Sequence, residues 1–551
     1  MAGKPRKWDL ETEVLVVGTG GSGLTAAIVA HDHGAHVMVI EKSPRVGGTT
    51  AFSGGVPWIP NNHHFRDVDY GQGTDSREDA MTYVRFLAAG RVPDELLAVF
   101  VDNGPEMIRH LEMNTGLKFL WSGHPDYHPE KPGAKKAGRS LGPPTFDTKL
   151  LGKWAGSIRM APIFCLPLGW DEIEQANSLV FPTKLDFELI AKRMGEGIVG
   201  MGMSLIGHLL KACLDRKIEP MLETPARELI TDGDGVIGLR AEHKGNDFYI
   251  RVRKGVILAS GGFEWDEELK GQFLYGPLPL PLSPPDCTGD GLKMAMAIGA
   301  KLGNMSGYWG TPASFIPGEE CDGRPLTRLT IGERQLPHAM VVNRFGRRFM
   351  NESHNYNDIT KVFGTFDPNA YDYPNVPAWA IFDQQYREKY AVLTVMPGMP
   401  TPEWVTQADT IEDLARETGI DPSGLKETVE RFNRFARQGK DEDFHRGESY
   451  YDQCVADPTN KPNPCLGTIE KPPFHALPVY PGALGTKGGP VVNLHGQVMH
   501  ISGGAVGGLY AAGNVMAGVT GPGYGGAGGT IGPGMTWGFV AARHAAAQKN
   551  K

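Results

Sequence analysis

The sequence predicts an α/β fold: a Rossmann-like nucleotide-binding domain split along the chain, with an α+β capping domain inserted between its halves. Three observations carry that prediction. A strand, a glycine turn, a helix, a second strand and an acid follow one another over residues 13–41, the order of a dinucleotide-binding βαβ unit. A late apolar strand, GLYAAGN at 508–514, stands near the other end, with a helix expected after it at 535–547. Between the two the texture changes, and Pro-rich loops alternate with helical patterns at 410–418 and 424–438. The split domain is read as 1–310 and 479–551, and the inserted one as 311–478.

The elements follow in order. Residues 13–17 form a short apolar strand, 18–23 (GTGGSG) a turn, 24–33 a helix and 35–40 a second strand ending at Glu41. Gly18 permits the tight turn, Gly20 lets backbone approach a pyrophosphate, and Gly23 lets helix and strand pack closely. Gly21 and Ser22 sit where the helix N-terminus offers free N–H groups to phosphates. Glu41 stands 18 residues after Gly23, placed to accept both hydroxyls of an adenosine ribose. Its charge repels a 2′-phosphate, which leaves FAD or NAD.

Residues 42–62 (KSPRVGGTTAFSGGVPWIPNN) decide between those two. Lys42 and the run Gly48, Thr49, Thr50, Ser53, Gly54 and Gly55 supply bare backbone and hydroxyls for a pyrophosphate and a flavin edge. An NAD enzyme has no need of this second cradle, so FAD is the expected cofactor. Residues 222–230 and 235–242 are strands returning to the sheet, with Ala226 beside the cofactor. Residues 254–263 (KGVILASGGF) are an apolar strand whose Ser260, Gly261 and Gly262 meet cofactor backbone, followed by a helix over 292–302. The late strand ends at Gly513 and Asn514. In the run 521–534 (GPGYGGAGGTIGPG), 8 of 14 residues are glycine. Composition alone reads this as a flexible linker. Its position, before the last helix, points instead to a helix N-terminus aimed at the flavin's pyrimidine end. Gly529, Thr530 and Ile531 would offer backbone there. Tyr524 is the one large polar side chain in the run, and reads as a hydroxyl aimed at substrate or as a core tyrosine.

Composition excludes several classes. The formal net charge is −8 and no long Lys/Arg run occurs, which argues against nucleic acid as a partner. No run of about 18 apolar residues exists to span a membrane. The only apolar run near the N-terminus is the first strand itself, so a signal peptide is not expected. Glycine is enriched, at 73 of 551 residues. Six scattered cysteines without CxxC or paired-His spacing read as reduced, mostly buried thiols of a cytoplasmic protein without a metal site.

Further segments carry a resemblance. The GGTT…SGG run resembles the FAD-dependent fumarate reductase and 3-ketosteroid dehydrogenase superfamily. Residues 126–130 (DYHPE) with 138–140 (GRS), residues 340–356 (MVVNRFGRRFMNESHNY), TKGGP at 486–490 and the YxGxG run from Tyr524 resemble signatures of the flavin-dependent 3-ketosteroid Δ1-dehydrogenases. The likeness runs from about 12 to 545. It implies a reaction that places a C1–C2 double bond in a 3-ketosteroid. In that family's mechanism the Tyr524 hydroxyl and the Gly528 N–H would hold the ketone oxygen. Tyr356 would take the α proton, Tyr127 would hydrogen-bond Tyr356 and lower its pKa, and hydride would leave the β carbon for flavin N5. The residue types suit this chemistry, because a free tyrosine titrates near 10 and needs help to act as a base at neutral pH. Tyr356 also reads as a structural tyrosine, and His128 as an alternative to Tyr127.

Departures from the family pattern are Gly525, often Pro or Ala there; KPPFHA at 471–476; His338, frequently Gly; and the stretch 150–195. These are expected to be pocket or lid neighbourhoods. Trp154, Phe164, Leu166, Leu168 and Trp170 make the 150–195 stretch a hydrophobic lid, a peripheral membrane contact for lipid-like substrates, or ordinary packing against the cap domain. The resemblance implies a quinone or other membrane-linked electron acceptor. Three other functions stay open: an α,β-desaturase of a smaller cyclic ketone, a fumarate-type reductase, and a non-catalytic flavoprotein. The reductase would need an Arg proton donor and Arg/His clamps for a dianion, where this chain offers a tyrosine among glycines.

Overall fold

A computed structural model describes residues 5, 7–67, 74–233 and 235–550; most of the extreme N-terminus, included above in the split domain, lies outside the described residues. Strand β1 (Leu10–Val17) buries all four residues from Val14 to Val17, the mark of a central parallel strand covered on both faces. It pairs in parallel with β2 (Val37–Ile40), Val14 opposite Val37. Helix α1 (Gly21–Asp32) connects them and starts three residues before the apolar pattern does, because the glycines that free the turn also accept helical geometry.

Strands β3 (Ala226–Thr231) and β4 (Val236–His243) form a hairpin, matching the expected return to the sheet. Next comes β5 (Asn246–Leu258), which begins eight residues earlier than the apolar pattern and stops before Ala259. Its first half pairs antiparallel with β4 and its second half runs parallel to β1, Gly255 opposite Val14. Alternating polar residues in that first half, which faces solvent on one side, hid it from an apolar-run reading. The helix expected over 292–302 is shorter, Asp290–Ala297.

The second sheet belongs to the inserted segment. Five of its seven strands, β6 (Tyr308–Cys321), β7 (Arg324–Leu329), β8 (Ala339–Val342), β9 (Ala378–Phe382) and β10 (Phe474–Thr486), run antiparallel in the order β7-β6-β10-β9-β8, and the short strands Leu280–Pro281 (parallel) and Thr406–Ala408 (antiparallel) also pair with β10. This sheet takes in Leu280–Pro281 and ends at Thr486, so it reaches past 311–478 on both sides. Helices Ile411–Thr418 and Pro422–Gln438 lie where expected. After β10 the chain returns to the first sheet through β11 (Gln497–Met499) and β12 (Ala505–Ala511), which pairs in parallel with β5. The full order there is β11-β12-β5-β1-β2, with β4 and β3 added on β5. The last helix spans Ile531–Ala546. It starts four residues before the expected Met535, with Gly532, Pro533 and Gly534 in its first turn. A Cβ at Gly538 would fall 2.4 Å from the Ser22 carbonyl oxygen, so this helix packs directly on α1.

Two networks of buried ions stiffen the frame around the join. In the cap, Arg348 donates to both oxygens of Glu352 at 2.7 Å and to Asp441 at 3.0 and 2.7 Å. In the first domain, Arg139 pairs with Asp126 at 2.8 Å and with Asp75 at 2.7 Å. No helix among the described residues is long and apolar enough to cross a membrane. All six cysteines are free; Cys213, Cys287 and Cys465 are buried, Cys321 is half-buried, and Cys165 and Cys454 are exposed. Half are buried, then, and not most.

Candidate active site

One cavity of about 540 Å³ lies between the two sheets. Its floor is the turn after β1. The Gly18 backbone has φ +109°, and a Cβ there would fall 2.5 Å from the Ala259 carbonyl oxygen, so only glycine fits between β1 and β5. A Cβ at Gly23 would fall 2.1 Å from the Gly18 oxygen, which places Gly23 in the helix–strand contact and not in the cavity wall. Gly18, Gly20, Gly21 and Ser22 do line the cavity, as do Glu41, Lys42, Gly48, Thr49, Thr50, Ser53, Gly54, Gly55, Ala226, Ser260, Gly261, Gly513, Asn514, Thr530 and Ile531. Gly262 and Gly529 do not: Gly262 packs on Thr486 and Glu264, and Gly529 against the Tyr524 ring.

The polar atoms of this floor are held in place by the protein. Glu41 accepts from the Thr19 N–H at 2.9 Å, the Thr19 hydroxyl at 2.7 Å and the Ser43 N–H at 2.9 Å, so its remaining lone pairs are the ones free for a ribose. Lys42 donates to Thr288 at 2.8 Å and to Asp290 at 2.7 Å. Thr50 Oγ1 accepts from the Gly21 N–H at 3.0 Å, tying the second cradle to the first. The Ser260 hydroxyl lines the cavity, buried and without a protein partner. Bare glycine backbone at a helix N-terminus, a positioned acid and an orphan hydroxyl fit a dinucleotide such as FAD.

Above the floor stand the tyrosines. Tyr356 is the first residue of α2 (Tyr356–Lys361), whose N-cap Asn355 accepts from the Asp358 N–H at 3.1 Å. Its ring lies 5.3 Å from that of Tyr127 and 5.5 Å from that of Tyr524, both roughly edge to face. Tyr127 and Tyr524 stack at 5.2 Å with an angle of 13°. The Tyr127 hydroxyl donates to the Tyr356 hydroxyl at 2.8 Å. All three line the cavity, and so does Gly528, whose N–H meets no acceptor among the described residues.

The glycine run is pinned from behind. The Gly525 carbonyl accepts from the Tyr127 N–H and from the Tyr83 hydroxyl, each at 2.9 Å. Trp58 donates its indole N–H to Asp126 at 2.8 Å. The Trp58 ring fills the space at Gly525, where a Cβ would lie 2.5 Å from it. Asp126, the residue before Tyr127, thus connects the buried Arg139 to Trp58.

Burial pushes the Tyr356 hydroxyl well above its ordinary value, and neighbouring Tyr524 adds to the rise. The hydrogen bond from Tyr127 pulls in the expected direction, downward, but is outweighed. The lowered Tyr356 pKa expected from the sequence is therefore corrected: removal from water wins over one neutral donor. Arg334 is buried at the cavity wall, donates among the described residues to the carbonyls of Thr330, Glu352 and His354, and its charge favours ionised Tyr451 and Tyr127.

Trp58, Arg334, Tyr451 and Trp309 are residues of this site that the sequence reading missed. They come from four distant segments with no shared motif, and only the fold joins them. His128, His354 and Asp358 also gather beside the tyrosines, and His63, His64 and Glu112 elsewhere; their separations in sequence, as in the second group between 64 and 112, concealed both. His338 is not in the cavity wall: it adopts φ +65°, which glycine would take freely, and bonds the Thr468 carbonyl at 2.7 Å. His475, the histidine of KPPFHA, is buried in the cap against Phe382. Both are packing positions, and the pocket role expected of them is withdrawn. From the 150–195 stretch, Phe164 and Trp170 line the cavity, whereas Trp154 packs on the first domain's core and Leu166 and Leu168 cluster with Ile173, Ile190 and Met201.

A family model described as an FAD binding domain matches residues 13–531. A 4-oxocyclohexanecarboxylate 2-dehydrogenase of Sinomonas cyclohexanicum is 38% identical over 100% of this chain and 94% of its own length. A 3-oxosteroid 1-dehydrogenase of Mycobacterium tuberculosis is 38% identical over 98% of this chain and 99% of its own. The crystal structure of a 3-ketosteroid Δ1-dehydrogenase from Sterolibacterium denitrificans, in complex with 1,4-androstadiene-3,17-dione, superposes with a TM-score of 0.90 at 35% identity. That match covers 98% of this chain and 100% of the other.

Proposed function

The chain belongs to the FAD binding domain family, among the flavin-dependent 3-ketosteroid Δ1-dehydrogenases, and from that premise we propose that it dehydrogenates a 3-ketosteroid, placing a double bond between C1 and C2. One observation carries the reading: Tyr127, Tyr356, Tyr524 and an unpaired Gly528 N–H share a single cavity with the dinucleotide cradle. The Tyr524 hydroxyl and the Gly528 N–H hold the ketone oxygen and stabilise the negative charge that gathers there, the arrangement of an oxyanion hole. A ketone so polarised has a more acidic α carbon, and Tyr356 takes that proton. Tyr127 donates to Tyr356 and steadies the phenolate, with Arg334 as the nearby buried cation. Bound FAD supplies the two-electron acceptor that the hydrogen on the β carbon requires. Gly18, Gly20, Gly21, Ser22, Glu41, Lys42, Gly48, Thr49, Thr50, Ser260, Asn514, Thr530 and Ile531 would hold it.

A second reading, a desaturase of a smaller cyclic ketone, is favoured by the Sinomonas relative, whose name specifies a cyclohexanone ring. The same tyrosines serve both. Leu150, Met160, Leu179, Phe187 and Met194 are exposed in the 150–195 segment, part of which lines the cavity, which supports a peripheral membrane contact and an electron acceptor of quinone type. Flotation with lipid vesicles tests the contact. The reaction is tested by mixing the holoenzyme anaerobically with 4-androstene-3,17-dione and, separately, with cyclohexanone. Bleaching of the flavin by the steroid, with a 1,4-diene product, is expected. Bleaching by cyclohexanone alone would move the assignment to the second reading, and bleaching by neither would end both.

A further inference from the structure

Where β10 ends at Thr486, the next residue is a buried lysine. The Lys487 ammonium donates to the Pro522 carbonyl at 2.9 Å and to the Gly523 carbonyl at 3.0 Å, the two peptide groups just ahead of Tyr524. It also stands 4.1 Å from the centroid of the Trp309 ring. That indole meets Tyr524 edge to face at 5.1 Å and is itself fixed by donating to Asn514 Oδ1 at 3.1 Å. Asn357, beside Tyr356, reaches the same Pro522 carbonyl at 3.5 Å. Lys487 therefore joins three segments: the end of the cap sheet, the turn that carries Tyr524, and the helix that carries Tyr356.

Its charge is the feature that calls for a reason. No carboxylate pairs with Lys487 among the described residues; Asp358 and Lys361 on α2 are the charged groups that face it, and they act in opposite senses. Burying an ammonium without a counter-ion is costly even after relaxation, and a neutral amide would grip the same carbonyls without that cost. We propose that Lys487 is a positioning residue that fixes the Tyr524 hydroxyl in the cavity and keeps a positive charge behind the point where the ketone oxygen turns negative. This rests on the ketone-oxygen role given above to Tyr524. Burial draws the ammonium well below its ordinary value, so the charge is lost at a lower pH than for an exposed lysine, and the rate falls with it.

Three variants of the FAD-loaded enzyme separate anchoring from charge. Lys487→Gln keeps amide donors without charge, Lys487→Met keeps neither, and Lys487→Arg keeps the charge. The expectation is a kcat about tenfold to hundredfold lower in Lys487→Gln and lower still in Lys487→Met, with KM moved by less than about threefold. The alkaline fall in kcat should be present in the unmodified enzyme and absent from Lys487→Arg, whose guanidinium does not titrate. A second readout needs no turnover: p-cresol is titrated into oxidised holoenzyme across pH, following the long-wavelength charge-transfer band between bound phenolate and flavin. The bound phenol should ionise at lower pH in the unmodified enzyme and Lys487→Arg than in Lys487→Gln. Equal flavin content is the folding control, and if Lys487→Met fails it, the other two variants decide. A kcat within twofold and an unchanged phenol pKa in Lys487→Gln, or no phenolate band in the unmodified enzyme, would overturn the proposal. If no ketone is oxidised but phenol ionisation still tracks Lys487, the dehydrogenation reading falls and this one stands; if all variants oxidise ketones equally, the reverse holds.

Discussion

Tyr356 sits at a helix start, half-buried, with a hydroxyl that accepts from Tyr127 and stands well above the ordinary tyrosine range. A base whose pKa is raised is mostly protonated at neutral pH, so catalysis must gain as pH rises toward that value. The expected profile of kcat/KM climbs through the neutral range and turns down only where Lys487 loses its charge; in Lys487→Arg, which lacks that fall, a flat profile between pH 6 and 9 would remove Tyr356 as the base. Tyr356→Phe should abolish most turnover with flavin content unchanged, and near-normal activity would likewise exclude it. Tyr524→Phe removes one donor to the ketone oxygen and should lower kcat/KM by about 10²- to 10³-fold, as loss of a single oxyanion-hole donor does. A rise in KM alone would mean that Tyr524 binds the ketone without stabilising the charge. These tyrosines could be read from the sequence because each stands in a distinctive motif. Arg334, Tyr451 and Trp309 could not, since their place beside the tyrosines depends on β6, β10 and the loops between them closing over the first domain.

At the scale of the element, the loop at Tyr127 and helix α2 are clasped together next to the reactive hydroxyls. His128 Nε2 lies 2.9 Å from Asp358 Oδ2, and Lys361 lies on the other carboxylate oxygen. Burial alone would raise the Asp358 pKa, but these partners hold the carboxyl well below its usual range. A depressed folded-state pKa gives stability that is present above the unfolded value near 4 and is lost as pH falls below it. Asp358→Asn should therefore lose about 1–3 kcal/mol at pH 7 and show a smaller further loss between pH 5 and pH 3. Equal acid sensitivity in variant and parent, measured by urea unfolding, would count against the clasp. Deeper in the cap, Arg348 is shared by Glu352 and Asp441, both fully buried. Glu352→Gln leaves part of that charge unpaired and should cost about 3–5 kcal/mol, seen as a lower unfolding midpoint; an unchanged midpoint would show that the network relaxes. Apolar runs and helical periodicity located the parallel strands and the cap helices. They missed the first half of β5 and placed the last helix four residues late, because a half-exposed strand breaks the run and glycines in a first helical turn look like loop.

At the scale of the molecule, the split first domain and the inserted cap meet through segments that also border the cavity: the turn at 521–530, the segment at 159–180, and the hairpin of β6 and β7. Arg159 of that segment pairs with Asp286 of the first domain and with Asp322 at the tip of that hairpin. Occupancy of the cavity by FAD should therefore stabilise both lobes at once. At a free concentration of about 100 times Kd, the gain is about 2.7 kcal/mol. Stripped protein should melt lower than holoenzyme in calorimetry and recover on adding FAD. The split architecture itself was legible from the two strand-and-glycine signals at opposite ends of the chain; the reach of the cap sheet beyond 311–478 was not, because β6 and β10 carry the same apolar, glycine-bearing composition as the first domain and Leu280–Pro281 joins it from far upstream.

The single cavity also sets a timetable. The cradle and the tyrosines open on the same space, so ketone and electron acceptor are visitors to one room and must take turns. Each product has to depart before the next guest arrives, which makes the cycle a double displacement. Initial rates against ketone at several fixed acceptor concentrations should give parallel reciprocal lines, and excess ketone should slow the reaction by occupying the reduced enzyme. Intersecting lines would mean that electrons leave by another door.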